Sequence, residues 1–257
     1  MKYKLYTGDC VDVMKKHIAD NSVQLTVTSP PYDNLRSYNG YSFDAKLVAL
    51  ELWRVTRPGG VVVWVVGDQT KNGSESGTSF RQALDFKEIG FNIHDTMIWK
   101  SAKPPLTHNR YEQAFEFMFV FSKGRPGAWN PIKEPCIGAG KNAQKRTFRQ
   151  YGDKLLAMHK PGVIGDEKIK SNLWEIANSG VADRGDKFIS EHPATFPEAL
   201  ARDHILSWSD PGDLVLDPLC GSGTTGKMAL KNGRQFIGID CSAEYIALSK
   251  KRIEGLL

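Results

Sequence analysis

The chain alternates short apolar runs with longer amphipathic ones. The short runs are Lys4 to Thr7, Leu25 to Thr28, Val61 to Val66, Thr96 to Trp99, Phe115 to Phe121, Leu214 to Leu216 and Phe236 to Ile239. Each ends in turn or polar residues, which predicts seven strands. Val61-Val62-Val63-Trp64-Val65-Val66 is apolar at both alternating positions. A half-exposed strand would alternate, so this one belongs in the middle of a parallel sheet covered by helices on both faces. Helical spacing runs from Leu47 to Val55, stopped by Arg57-Pro58-Gly59-Gly60, and returns at Phe80 to Ile89, Pro197 to Trp208 and Ala243 to Ile253. Alternating strand and helix implies an α/β fold with a doubly wound sheet, whose ligands sit beyond the carboxyl ends of the strands.

One stretch breaks the pattern. From Gly124 to Ser190 there is Gly-x-Gly and Pro-Gly punctuation but no clear period. The expected organisation is therefore a core of residues 1–123 and 191–257 with an insertion at 124–190. A length of 257 residues accommodates both. Charge supports the division. The formal net charge is +5, yet Lys123 to Lys187 holds 13 Lys and Arg against 7 Asp and Glu, or +6, leaving −1 for the rest. A local basic excess interleaved with Phe148 and Tyr151 suits phosphate contacts, although any single residue there is as readily a solvated surface charge.

Composition narrows the class without naming a chemistry. Hydrophobic residues at 40% and charged residues at 25% are those of an ordinary globular protein. No apolar run approaches the roughly 20 residues of a membrane span, and Gly8-Asp9-Cys10 interrupts the N-terminus where a secretory segment would lie. A cytoplasmic location is the expectation. Cys10, Cys136, Cys220 and Cys241 form no C-x-x-C pair, so neither a metal site nor a disulfide framework is expected.

Chemistry enters at the strand ends. Leu214-Val215-Leu216-Asp217-Pro218-Leu219-Cys220-Gly221-Ser222-Gly223-Thr224-Thr225-Gly226 reads as strand, glycine turn and helix, with Thr224 in the capping region. Gly221, Gly223 and Gly226 also satisfy G-x-G-x-x-G, so a dinucleotide turn and an NAD-dependent oxidoreductase must be weighed. In such a turn the first glycine closely follows the strand and the helix N-terminus cradles pyrophosphate; here Asp217-Pro218-Leu219-Cys220 intervenes. A carboxylate at that tip suits a cation, as in the ammonium and sulfonium of S-adenosylmethionine. Phe236-Ile237-Gly238-Ile239-Asp240 ends in a second acid placed to accept from ribose hydroxyls, and Thr7-Gly8-Asp9-Cys10 offers a third for an adenine amino group. Each acid alone could be a helix cap or a solvated turn.

After the apolar Leu25 to Val27 comes Thr28-Ser29-Pro30-Pro31-Tyr32. Two prolines fix two φ angles and remove two donors, so the Ser29 hydroxyl and nearby carbonyls become acceptors on a stiff loop. An exocyclic base amine is a poor nucleophile because its lone pair is delocalised into the ring. Accepting both N–H groups, at Ser29 Oγ and the Pro30 carbonyl, would localise that lone pair, with Tyr32 stacked on an extruded base. Direct transfer needs no metal and no cysteine nucleophile.

These motifs resemble the amino-methyltransferase family of bacterial and phage DNA methyltransferases, in the permuted beta-group order with the catalytic loop first and the glycine loop last. Ser29, Pro30, Pro31 and Tyr32 fall on that family's catalytic tetrapeptide, Asp217 to Gly223 on its cofactor loop, Asp9 on its adenine-contacting acid and Asp240 on its ribose acid. Leu52 to Gly60 and Tyr111 to Gly124 are similar to further family blocks. His192-Pro193-Ala194-Thr195-Phe196-Pro197 resembles the segment that closes over the methionine end. The resemblance implies a seven-stranded mixed sheet. It implies a site-specific enzyme that takes S-adenosyl-L-methionine as cofactor and duplex DNA as substrate. The cofactor residues would be Asp9, Cys10, Ser29, Thr195, Asp217, Pro218, Gly221, Ser222, Gly223, Thr224 and Asp240. Serine before Pro-Pro-Tyr accompanies cytosine N4 methylation by family habit, and adenine N6 stays open because a hydroxyl can accept from either amine. Related enzymes include dimers, so a homodimer and a cognate restriction endonuclease also stay open as partners. A non-catalytic binding module and an RNA or protein methyltransferase are rivals; the filled catalytic positions argue against the first and the motif order against the second.

Overall fold

The computed structural model describes residues 2–31, 43–100, 111–142, 147–149, 155–157, 162–178, 183 and 196–255. In chain order the strands are β1 (Tyr3–Thr7), β2 (Val23–Thr28), β3 (Thr56–Val66), β4 (Thr70–Lys71), β5 (Ser74–Glu75), β6 (Asn92–Lys100), β7 (Phe115–Ser122), β8 (Lys133–Pro135), β9 (Thr147–Arg149), β10 (Leu155–Ala157), β11 (Glu167–Ile169), β12 (Leu173–Glu175), β13 (Leu214–Asp217) and β14 (Gln235–Asp240). The helices are α1 (Cys10–His17), α2 (Ala45–Val55), α3 (Thr78–Ile89), α4 (Glu198–Trp208), α5 (Thr224–Lys231) and α6 (Ala243–Glu254).

Eight strands form one mixed sheet in the order β1-β14-β13-β2-β3-β7-β6-β12. Within it β7 runs antiparallel to both neighbours and the other pairings are parallel. Seven of these strands contain the seven expected runs. The eighth corrects the count: β12 joins the edge through Trp174 opposite Trp99, in a stretch expected to be insertion. At three residues it is too short to show a hydrophobic period. Strand β3 also begins at Thr56 rather than Val61, because the Arg57-Pro58-Gly59-Gly60 stretch that ends α2 continues directly into the sheet beside β2.

Helices α1 to α3 cover one face and α4 to α6 the other. The expected double coverage of β3 is met, with Val61 to Trp64 each fully buried. Under α2 and α3, Phe86 stacks on Phe121 at 4.2 Å and tilts against Trp64 at 5.0 Å. Trp64 Nε1 donates to Gln82 Oε1 at 2.8 Å, which satisfies the indole inside the core.

Helix α1 has no counterpart among the expected elements. Its eight residues carry only Cys10 and Met14 as buried positions, too few for a visible period. Tertiary contacts hold it: Arg54 of α2 donates to the Met14 carbonyl at 2.9 Å and the Ile18 carbonyl at 3.0 Å, capping its last turn. Lys123 does the same for α2, donating to the carbonyls of Trp53 at 2.7 Å and Thr56 at 2.9 Å.

Residues Pro131–Ser171 form a separate compact unit, narrower than the 124–190 stretch expected to be inserted. Residues 124–130 belong with the core, where Ala128 is buried and the Asn130 amide donates to the Ser207 carbonyl at 2.9 Å. Inside the unit β8 pairs antiparallel with β11, and β9 with β10. It carries 9 Lys and Arg against 4 Asp and Glu, so its +5 equals the net charge of the whole chain.

Candidate active site

Strands β13 and β2 are parallel neighbours, with Val215 opposite Leu25 and Leu216 opposite Thr26. From β2 the chain passes to α2 on one face; from β13 it passes to α5 on the other. The two helices lie on opposite faces, the arrangement that in α/β sheets sets the ligand crevice at the carboxyl ends of the two strands. Ser29-Pro30-Pro31 leaves one lip and Asp217 to Gly223 the other. The pairing of these strands is what brings two motifs nearly two hundred residues apart into one site.

Hydrogen bonds lock the lips together. Thr28 Oγ1 donates to Asp217 Oδ1 at 2.7 Å, and the Leu219 amide donates to the same oxygen at 3.2 Å. Thr225 Oγ1, in the first turn of α5, donates to the Val27 carbonyl at 3.1 Å. Asp217 is 2% exposed. Burial pushes its carboxyl up to about 6, against the lowering effect of donors from Thr28, Thr225 and Leu219, while the nearby Asp240 adds to the rise. A buried carboxylate raised in this way gains from a cation set beside it.

Asp240 closes the turn from the other side. Its Oδ2 accepts from the Gly221 amide and its Oδ1 from the Ser242 amide, both at 2.9 Å. Burial raises its pKa in spite of both bonds. The Cys220 amide donates to the Ile239 carbonyl at 2.8 Å, so the turn is stitched to the end of β14. Gly223 has φ +79°, and a Cβ there would lie 2.0 Å from Ser249 Oγ. Gly226, the third glycine of the G-x-G-x-x-G spacing, serves packing: a Cβ would lie 2.4 Å from the Phe236 ring, so α5 rests directly on β14.

The other expected positions divide. Asp9 is the N-cap of α1, its Oδ1 accepting from the amides of Val11 at 2.9 Å and Asp12 at 3.1 Å. It stands at the carboxyl end of β1, which pairs with β14 and places Thr7 opposite Asp240. Cys10 is buried and its thiol is pushed up to about 12, foremost by desolvation. Pro218, Ser222 and Thr224 are buried in or beside the turn, and Ser29 is half-buried. Tyr32 and Thr195 lie outside the described residues.

Two contributors escaped sequence reasoning. Thr28 reads as the last residue of a strand, and its bond to Asp217 appears only when β13 lies beside β2. Arg252, near the end of α6, is 3% exposed and donates from Nη1 to the Ser222 carbonyl at 2.8 Å, Ser222 Oγ at 2.9 Å and Thr224 Oγ1 at 3.1 Å. A signal existed: Leu248, Ser249, Arg252 and Ile253 form the buried stripe of α6, and a charge on such a stripe needs partners inside.

The donor set discriminates between ligands. A pyrophosphate against this turn would face Asp217 and Asp240, whereas the ammonium and sulfonium of S-adenosylmethionine complement them. Among solved structures the chain is similar to the cytosine-N4-specific PvuII DNA methyltransferase, with a TM-score of 0.71 at 22% identity over 98% of this chain and 86% of that one. It is also similar to M1.HpyAVI in complex with its methyl donor, with a TM-score of 0.63 at 22% identity over 98% of each. The fold is thus that of the S-adenosylmethionine-dependent methyltransferases. The family model of the N6 and N4 DNA methylases matches residues 23–251. The orphan methyltransferase M.BamHII of Bacillus amyloliquefaciens is 49% identical over 247 residues, spanning 95% of this chain and 93% of that one. The type II methyltransferase M.BglII of Bacillus subtilis is 27% identical over 98% of this chain and 69% of its own length. The chain belongs to the N6 and N4 DNA methylase family, in its beta-group order: a DNA amino-methyltransferase that uses S-adenosyl-L-methionine. Among the described residues no helix is long and apolar enough to cross a membrane.

Proposed function

We propose that the enzyme methylates the exocyclic N4 of cytosine in duplex DNA, acting site-specifically on a base turned out of the helix. The observation that carries amine methylation is Ser29 on a diproline at the carboxyl end of β2, next to a strand whose tip, Asp217, is bonded to Thr28 at 2.7 Å. Cytosine N4 is chosen over adenine N6 by the family habit of serine at this position and the similarity to the cytosine-N4-specific PvuII enzyme. S-adenosylmethionine supplies an electrophilic methyl group on a sulfonium. The protein's own task is to orient the amine. Ser29 Oγ and the Pro30 carbonyl accept its two N–H hydrogens, which directs the nitrogen lone pair out of the ring plane. The stiffness of Pro30-Pro31 holds those acceptors in place, so little reorganisation is left for the transition state. Tyr32 offers a ring on which the extruded base stacks, offsetting the few kcal/mol lost on unstacking.

The cofactor residues follow the same logic. Asp217 presents its carboxylate to the cationic portion, Asp240 and Asp9 accept from the nucleoside, and Cys10, Pro218, Gly221, Ser222, Gly223, Thr224 and Thr195 shape the walls. The basic stretch within 124–190, including the 131–171 hairpins, contacts phosphates and reads base edges. Sequencing genomic DNA from cells expressing the enzyme, with detection that separates N4-methylcytosine from N6-methyladenine, tests the target base. N4-methylcytosine at one short recurring motif is the expected result, and N6-methyladenine there would overturn it.

A further inference from the structure

We infer that Arg252 is a positioning residue for the cofactor, clamping the glycine turn in its binding shape before the cofactor arrives. The inference rests on reading that turn as the cofactor site. The side chain of Arg252 is 1% exposed, and its Nη2 stands 3.5 Å from Glu198 Oε1. Lys227 Nζ approaches the same oxygen at 2.5 Å. One guanidinium therefore gathers the Ser222 carbonyl, two turn hydroxyls and the first residue of α4.

This division of labour is specific. Two of the turn's amides are bonded elsewhere, Gly221 to Asp240 at 2.9 Å and Gly223 to the Cys220 carbonyl at 2.7 Å. Arg252 fixes the Ser222 carbonyl and the hydroxyls of Ser222 and Thr224. The planar fork reaches several acceptors at fixed angles, which a lysine ammonium on a flexible stem does not. With these groups of the turn held from within the protein, a ligand docks without first ordering them. Removing the guanidinium leaves a buried carbonyl, two hydroxyls and the Glu198 carboxylate short of a donor, and the turn then samples other conformations.

The test is calorimetric titration of S-adenosyl-L-methionine into wild-type protein and into Arg252→Gln, Arg252→Lys and Asp240→Asn, with thermal unfolding recorded for each. Arg252→Gln is expected to weaken binding about tenfold or more. Arg252→Lys, which keeps the charge beside Glu198, should recover part of that loss. In steady-state assays KM for the cofactor rises, while kcat at saturating cofactor stays within about twofold, because no reacting atom is touched. If Arg252→Gln does not fold, Arg252→Lys decides: a cofactor Kd equal to wild type overturns the inference. So does a lowered unfolding temperature with unchanged Kd in Arg252→Gln, provided Asp240→Asn weakens binding. Unchanged affinity in all three variants would instead defeat the assignment of the cofactor to this turn.

Discussion

At the carboxyl ends of β2 and β13 polar groups are buried and satisfied by one another, whereas the ion-paired side chains described in the 131–171 unit stand largely in water. Asp217 is 2% exposed and shares one oxygen between Thr28 and Leu219. In the basic unit Lys168 pairs with Glu134 at 2.9 Å and Lys133 with Glu167 at 3.7 Å, with both lysine side chains more than half exposed. Surface pairs of that kind contribute about 0.2–1 kcal/mol at most and rearrange freely. Ile137, on the turn after β8, is 99% exposed. The contrast suits the two tasks proposed for these regions. Methyl transfer needs atoms held in place in a dry setting, which burial and mutual hydrogen bonding provide. Phosphate contact works through solvated charges that displace counterions, and short hairpins suffice to carry them.

Substitutions that separate the two regions can break this comparison. The largest effect is expected at the catalytic lip. Ser29→Ala should lower methyl transfer to duplex DNA by about 10²–10³-fold, the usual loss when a preorganised polar contact to a reacting group is removed. Cofactor affinity should change little, and full activity in a radiolabel assay would sink the lone-pair mechanism. Tyr32→Ala should likewise cripple transfer more than cofactor binding.

Next in size is Asp217→Asn, expected to weaken cofactor binding by about 10–100-fold, the range for a hydrogen-bonded charged group. Unchanged affinity by calorimetry would refute its place beside the cation. The same residue predicts a pH dependence. With a folded pKa of about 6 above the ordinary 3.8, the free enzyme binds this proton more tightly when folded. Its burial penalty is therefore full above pH 6 and vanishes as pH falls towards the unfolded value. A cation at the turn favours the ionised form. Cofactor affinity should then fall by up to about tenfold per unit below pH 6, with proton release on binding. In Asp217→Asn both trends should flatten. A wild-type affinity constant between pH 7 and pH 5 would exclude the coupling.

The smallest effect belongs to the basic unit. Lys141→Ala should weaken DNA binding modestly and evenly across sequences, cut the slope of log affinity against log salt by about 1, and leave cofactor affinity alone. A changed recognition sequence would instead assign Lys141 to base readout.

Much of this protein was legible from its residue pattern. Seven strands and the acids at three strand tips follow from local apolar runs and turn chemistry, which act over a few neighbouring residues. Helix α1 and strand β12 did not, because each is short and stabilised by partners far along the chain: Arg54 for α1, Trp99 for β12. The same reason hid half of the site. The sequence could say that Asp217, Asp240 and Asp9 end their strands. Only the tertiary structure assigned Asp217 to Thr28, Asp240 to the Gly221 amide and Arg252 to the turn. Those bonds depend on which strands and helices lie side by side. That choice is made by the burial of whole faces, not by any local run of residues.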